Sequence, residues 1–569
     1  MAPPDVSGTE SPYRIFRVNP NDEFIGEEDE PDRVFMTMTD RDGSFLYELE
    51  DLPLLHTIVQ QNDVEALQQY FTIAPYFAPK LPNGEEEIME TTDYFGLAFE
   101  SGSVDVLQWL LNNTPRDIVS TQPIRFEPRG FQLLNEAARY GRMEIVKFLL
   151  AHQPLYANIQ DRDSKGYTAI LSAADVYSER YCFQPKWNEV CLENNEAIIN
   201  LLLDQGACAS DTYVVPYNKE TLTLDNVLTL VVTWAGPELI KRLINCGADV
   251  HTTITKWPMY NGASASGVNA LAVACYHANI KAVETLINCR GAVTAESMAC
   301  CQDSLSRLPL HWVTKNQLPL DDLENIPKSL LRERVQNITS LIELLLGLYP
   351  AAINIQDQEG YTSLHHATES FGRNSKIYTP IFELLCKRGG DASIRNSKGQ
   401  TPLHTLFDTC ITNVPIDPAA ISVLLAHGAR VTDTFAGSTL LHIAAGNLWF
   451  ADAVSCLLDH GADPTARDSS QATALHRAAS GRLRQSVVKA EVIIRSQDDM
   501  LARLVKAGGE ELMDLPDVHG ETPRQICQRR REQWRIAGLP REPSEQLQFG
   551  SGRGRSGRGG ARNGRGRGS

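Results

Sequence analysis

The stretch "GSTLLHIAAGNLWFADAVSCLLDHGADPTARD", residues 437–468, holds two short apolar helical patterns joined by a tight turn and closed by Gly-Ala-Asp. It is followed by "SQATALHRAAS", and His442 and His476 stand 34 residues apart. Upstream, "TPLHTLF" puts His404 in the same role, "TSLHHAT" His365, "LPLHWV" His311 and "LPLLHTI" His56. Second apolar helices recur as "AISVLLAHGA", "LIKRLINCGAD", "AIINLLLDQGA" and "AVETLINCRGA". A fixed period of this kind is the signature of a stacked repeat, and it overrides the three or four ordinary domains that 569 residues would otherwise suggest.

The physical content of each copy agrees with its neighbours. Thr or Ser caps the first helix, and Pro sits at the first helical position, where a missing N–H costs nothing. Apolar residues at i, i+3 and i+4 give the second helix one buried stripe. Gly206, Gly247, Gly428 and Gly461 stand where that helix must end. Thr401-Pro402-Leu403-His404 carries a TPLH core, and Asp357-Gln-Glu-Gly360-Tyr-Thr362 a D-x-x-G-x-T lead-in. In order and spacing the chain resembles the ankyrin-repeat family. That resemblance implies an all-α solenoid of helix-turn-helix units with short hairpin loops, covering roughly 46–535.

With the period known, about eleven units are read, their first helices running from 53–59 to 473–479 and their second from 64–71 to 499–505. A twelfth opens at "DVHGETPRQICQRRREQW", 517–534, whose polar helix suits a terminal cap. Extra residues fall between first and second helix near 175–194, 315–335, 370–378, 409–418 and 481–497, which places them along one edge of a solenoid. Tyr181 and Trp187 in the first insertion are of the residue types that dominate interfaces, or are rings that fold back onto their own unit. The insertion 318–336 reads as a short extra helix of mixed charge.

The formal net charge is −18, and the tail's six arginines leave −24 on the rest. A body so acidic repels nucleic acid and anionic membrane faces. Residues 1–45 lack the repeat and read as an acidic, partly disordered leader, with seven acids between Asp22 and Asp32. The start "MAPPDVSGTE" shows no secretory signal, and the most apolar stretch, 226–236, is too short to span a membrane. Twelve scattered cysteines without a CxxC pair fit reduced thiols, so the expected setting is intracellular, cytoplasmic before nuclear.

No catalytic or cofactor motif is present, and the chain reads as a non-enzyme without cofactor or metal. The six histidines His56, His311, His365, His404, His442 and His476 form a cluster only on paper. In the resembled family that histidine holds its own loop through backbone hydrogen bonds. His365 and His366 are adjacent, so their rings leave the helix on different faces and make no simple metal pair. Cys300 and Cys301 are likewise adjacent and without nearby partners.

The chain closes on "GSGRGRSGRGGARNGRGRGS", 550–569, within a segment 536–569 expected to be disordered. Its formal GxGxxG lacks the strand and helix that a dinucleotide site needs. What remains resembles an RG/RGG segment, whose Arg553, Arg555, Arg558, Arg562, Arg565 and Arg567 suit phosphates, unpaired bases or acidic protein surfaces.

Together these features lead to a protein-binding scaffold that grips an unidentified protein partner in a concave groove, with the tail as a loose second attachment. The residues expected at the loop tips are Asp161, Arg162, Arg395, Asn396, Lys398, Arg467 and Asp468. The alternative is an RNA- or ribonucleoprotein-associated protein that binds RNA through its tail.

Overall fold

A computed structural model describes residues 14–17, 35–39, 45–73, 94–113, 132–153, 156–163, 166–176, 189–217, 220–255, 257–258, 264–315, 327–409, 415–483 and 490–537. Tyr181, Trp187, the acidic run 22–32, the tail and parts of all the expected insertions except 370–378 lie outside the described residues.

Helices follow one another as antiparallel pairs. The first four pairs are α1 (Asp51–Gln60) with α2 (Val64–Ile73), α3 (Tyr94–Ser101) with α4 (Val104–Asn113), α5 (Leu133–Arg139) with α6 (Met143–Ala151), and α7 (Ala169–Ala174) with α8 (Glu189–Asp204). Next come α9 (Val227–Val231) with α10 (Pro237–Asn245), then α11 (Ala270–Tyr276) with α12 (Ile280–Asn288). A lone short helix, α13 (Ala295–Ala299), precedes the pair α14 (Pro309–Thr314) and α15 (Lys328–Leu348). The last pairs are α16 (Ser363–Phe371) with α17 (Ser375–Lys387), α18 (Pro402–Thr409) with α19 (Pro418–Ala426), α20 (Leu440–Ala445) with α21 (Ala451–Asp459), and α22 (Ala474–Ala479) with α23 (Ala490–Gly508). A single helix, α24 (Pro523–Ala537), closes the stack against α22 and α23.

First helices pack on first helices and second on second, so each unit buries its apolar stripe only against its neighbours. The result is one continuous core from Leu54 to Cys527. Leu-Leu and Ala-Ala steps fill it at close approach, as in Leu440, Leu441, Ala444 and Ala445, all at most 1 % exposed. The fold is an all-α ankyrin-type solenoid. No helix among the described residues is long and apolar enough to cross a membrane.

Within the leader, expected to be partly disordered, β1 (Arg14–Arg17) and β2 (Phe35–Thr39) form an antiparallel sheet with β3 (Phe45–Glu50) in that order, packed on α1 and α2. Two features depart from the sequence reading. Of the helix expected as an insertion at 318–336, residues 328–336 are the start of α15, which runs unbroken for 21 residues because no Pro or Gly interrupts it before Gly347, and 318–326 lie outside the described residues. α8 and α23 likewise extend their second helices N-terminally, to 16 and 19 residues.

Two inter-unit loops have grown into real strands. β4 (Thr212–Tyr217) pairs with β5 (Glu220–Asn226), and the next loop folds as β6 (Thr253–Ile254) on β9 (Val268–Asn269) beyond β7 (Trp257–Pro258) on β8 (Ser264–Ala265). A smaller pair, β10 (Thr434–Phe435) with β11 (Ser438–Thr439), precedes α20.

Candidate partner-binding face

Five of the loops between units share one construction. Each of the five carries an Asx residue whose Oδ1 accepts backbone N–H groups two and four residues on: Asp303 from Leu305 and Arg307, Asp357 from Glu359 and Tyr361, Asn396 from Lys398 and Gln400, Asp468 from Ser470 and Ala472, Asp517 from His519 and Glu521. A short side chain that can hold its own turn is why Asp or Asn stands there. The third residue after it takes a left-handed φ, as Gly360 (+77°), Gly399 (+85°) and Gly520 (+75°) do; Ser306 (+58°) and Gln471 (+56°) do so without being glycine.

At Gln356, Arg395 and Arg467 the residue before the Asx fastens one loop to the next, and Arg162, before Asp163, does the same. Arg395 donates to its own Gly399 carbonyl at 2.7 Å and to Asp433 of the following loop at 2.8 Å. Arg162 reaches Gly166, Thr212 and Asp211, Gln356 reaches Gly360 and Arg395, and Arg467 reaches Gln471 and Pro516. Backbone bonds reinforce the ladder: Gln358 N–H to Leu305, Ser397 N–H to Glu359, Val518 N–H to Ser470.

This construction corrects several expected contacts. Asn396 and Asp468 are 5 % and 3 % exposed, and both are spent inside their own turns; Asp468 also pairs with Arg477. They are positioning residues of the loop rather than tips. Arg162, Arg395 and Arg467 are exposed, but their guanidinium groups are committed to neighbouring loops. Asp161 is half-buried, and Lys398 alone of the set is an exposed tip with no side-chain hydrogen bond to a described residue. The tips are the two residues after each Asx: Gln358 and Glu359, Ser397 and Lys398, Ser469, Val518 and His519. Sequence reasoning chose residues one place away, because the Asx turn directs its own side chain inward.

The histidines act as clamps. Thr362 N–H and Oγ1 both point at His365 Nδ1, at 3.2 and 2.9 Å, and His365 Nε2 donates to the Gln400 carbonyl at 3.1 Å. His442 joins Thr439 to Ala472, and His476 joins Thr473 to Glu521, in the same way. Each of these three carbonyls belongs to the residue just before the next unit's capping threonine. The ring therefore ties its own helix start to the following unit, beyond the own-loop role that the family resemblance implied. His404 makes the Thr401 half, and His311 holds the Leu308 N–H and the Ile355 carbonyl. An acceptor Nδ1 and a donor Nε2 require the neutral ring. Burial lowers the pKa accordingly, to about 4 at His365 and His404 and about 3 at His311.

His56 is the exception. It is exposed and makes no hydrogen bond to a described residue. The extra leucine in "LPLLHTI" moves it one place along α1, about 100° around the helix from the clamping position.

One junction carries a buried charged knot. His366 Nε2 donates to Asp357 Oδ2 at 2.9 Å, and its Nδ1 lies 3.8 Å from Glu369. Arg307 approaches Asp357 at 3.6 Å and lies over the Trp312 ring, while Lys315 stands 3.9 Å from Glu369. Burial opposes the charge of both acids, yet His366 together with the Tyr361 N–H holds Asp357 at about 2, and His366 together with Lys315 holds Glu369 at about 2. Burial pushes the Lys315 ammonium pKa down. The adjacent His-His pair was the only sign of this knot in the sequence. The structure separates its two rings as expected, giving one to a clamp and the other to the knot.

A family model described as ankyrin repeats, in three copies, matches residues 409–490, from the end of α18 to the start of α23. Over these residues the chain is similar to ankyrin repeats. The clamp, the Asx loop and the paired helices also occur before the matched segment, and after it the Asx loop recurs at Asp517. Among solved structures, the ankyrin repeat domain of Bcl-3, a member of the IκB protein family, is similar at 23 % identity, with a TM-score of 0.31, over 45 % of this chain and 96 % of that one.

Proposed function

We propose that the chain is a non-enzymatic scaffold of about eleven ankyrin units over 46–535, which presents its loop tips and first helices to a folded protein partner. Ankyrin repeats generally mediate protein–protein interaction. The observation that carries the proposal is the loop ladder: tips whose bases are hydrogen-bonded from unit to unit form a surface ordered before any partner arrives. Such pre-organisation removes much of the entropic cost of association. Lys398, Glu359 and His519 are the polar tips left to choose the partner, while Gln358, Arg395, Asn396 and Asp468 hold them in place.

The test is capture of partners by the full chain, compared with a variant in which Gln358, Glu359, Ser397 and Lys398 are charge-reversed or made alanine. Selective loss of a partner from the tip variant is expected. Retention of every partner, both there and after deletion of two central units, would sink the proposal.

A second reading concerns the tail. Six arginines and no acid in 550–569 favour RNA or ribonucleoprotein attachment as an additional, weaker contact.

A further inference from the structure

We propose that the tips of the last four loops form a docking strip for an extended acidic segment of a protein partner, whose carboxylate seats on Arg467 and whose apolar residue covers Val518. This rests on the loop tips being the partner-binding face, as above, and names the chemistry of the partner.

The ladder of loop arginines has one member without its acid. Arg162 is answered by Asp211 and Arg395 by Asp433, in each case from the following loop. Asp433 stands six residues before the capping Thr439, and the same place before Thr522 is held by Pro516. Arg467 therefore finds a proline where Arg395 finds an aspartate. Its Nη1 donates to the Gln471 and Pro516 carbonyls at 3.4 and 3.3 Å, and its guanidinium forms no ion pair with a described residue. The side chain is exposed, so an acid from outside can complete it.

The acids of these loops are all engaged. Asp433 pairs with Arg395, Asp468 with Arg477 and Glu521 with Arg529, while Asp517 accepts two N–H groups of its own turn. Lys398 is exposed and forms no ion pair with a described residue. On a protein of net charge −18, this row of tips thus presents cations without their counter-charge. Beside Arg467 stands Val518, 62 % exposed, the most exposed large apolar side chain among the described residues. Its N–H donates to the Ser470 carbonyl at 3.0 Å, which fixes it against the loop that carries Arg467.

Spacing sets the pattern of the occupant. First helices of neighbouring units pack directly on one another, so successive tips stand about 8–10 Å apart. An extended chain rises about 3.3 Å per residue and passes one loop roughly every three residues. The segment that fits carries Asp or Glu over Arg467, an aliphatic or aromatic residue over Val518 about three places away, and a second acid over Lys398 about six places to the other side. Arginine also takes phosphate, which makes a polynucleotide the competing occupant. Val518 decides against it, because an exposed aliphatic side chain gains by burial on a protein and gains nothing from phosphate. The one Phe of these loops, Phe435, lies against His404, so the strip lacks the free rings on which bases stack.

The experiment pans random phage-displayed peptides of about 12 residues, long enough to cross the four loops, on the immobilised full chain. Recovered sequences are expected to share an acid and an apolar residue about three places apart. Fluorescence anisotropy then measures one recovered peptide, labelled, against variants. R467Q should weaken binding about tenfold and R467K by no more than about threefold, since lysine keeps the charge but loses the fork. V518S should weaken it about threefold with the salt dependence unchanged, because apolar burial is not screened. Thermal unfolding by circular dichroism confirms that each variant is folded; Val518 and Lys398 are exposed, so V518S and K398Q serve if R467Q is not. Recovery of acid-free peptides, or of acidic ones indifferent to R467Q, overturns the acidic occupant, and if those peptides still need Glu359 and Lys398 the tip reading stands. Recovery of no peptide overturns it as well and leaves the tip reading to the capture experiment. A labelled oligouridine of about 20 nucleotides that binds the chain and is weakened by R467Q, where the peptides are not, assigns the strip to nucleic acid instead.

Discussion

His365 donates its Nε2 hydrogen to the carbonyl of Gln400, 3.1 Å away, on the residue just before the next unit's capping Thr401. One imidazole thus couples the start of α16 to the start of α18, and the neighbouring clamps repeat the arrangement at His442 and His476. Stability in such an array is a sum of units and of these interfaces.

Replacing His365 with alanine leaves the Gln400 carbonyl and the Thr362 N–H without partners in the core. A loss of about 3 kcal/mol is expected, against about 1 kcal/mol for Thr362→Val, which removes only the hydroxyl. Urea unfolding followed by circular dichroism measures both; equal losses would show that the clamp is not carried by the ring.

Acid should loosen the array through these rings. Burial lowers His365 and His404 to about 4, below the ordinary value of 6.5. Above pH 6.5 the rings are neutral in both states and the clamps contribute fully. As pH falls from 6.5 to about 4 the unfolded chain takes up protons that the folded one refuses, costing on the order of 3 kcal/mol per ring. Asp357 and Glu369, held at about 2, add their own loss only below the ordinary carboxylate range. Urea midpoints at pH 7.5, 6, 5 and 4 should fall steadily, and the fall should be smaller in His404→Asn; a flat profile contradicts the neutral clamps.

Backbone strain offers a stabilising change. Gln471 is exposed and holds φ at +56° where most sister loops use glycine. Gln471→Gly should gain about 1 kcal/mol by removing the left-handed penalty. Gly360→Ala should cost about 2 kcal/mol or more, since a Cβ there would meet the Ser397 nitrogen at 2.6 Å. Thermal midpoints moving in opposite directions are the expected result.

The charged knot between α14 and α16 should be intolerant of half-removal. Asp357→Leu leaves Arg307 and the His366 N–H buried without their acid and should cost about 3–5 kcal/mol. Hydrogen exchange of the α14 and α16 amides would locate the effect; protection unchanged there would mean that Asp357 serves only its own turn.

Much of this protein was legible without coordinates. Thr-Pro-Leu-His, the Gly-Ala-Asp loop and the 34-residue spacing of His442 and His476 are local signals, because caps, turns and amphipathic stripes act within a few residues of the chain. The sequence by itself therefore determined the repeat, the helix pairs and the basic tail on an acidic body. It did not determine what Arg395 grips, since Asp433 lies 38 residues away, nor that Asn396 turns inward while Lys398 faces out. It also left unresolved that His56, in so similar a string, misses its clamp by one residue of helix phase. Only the tertiary structure decided these, because a long side chain's partner is set by how the next unit stacks, and stacking is a property of the whole array.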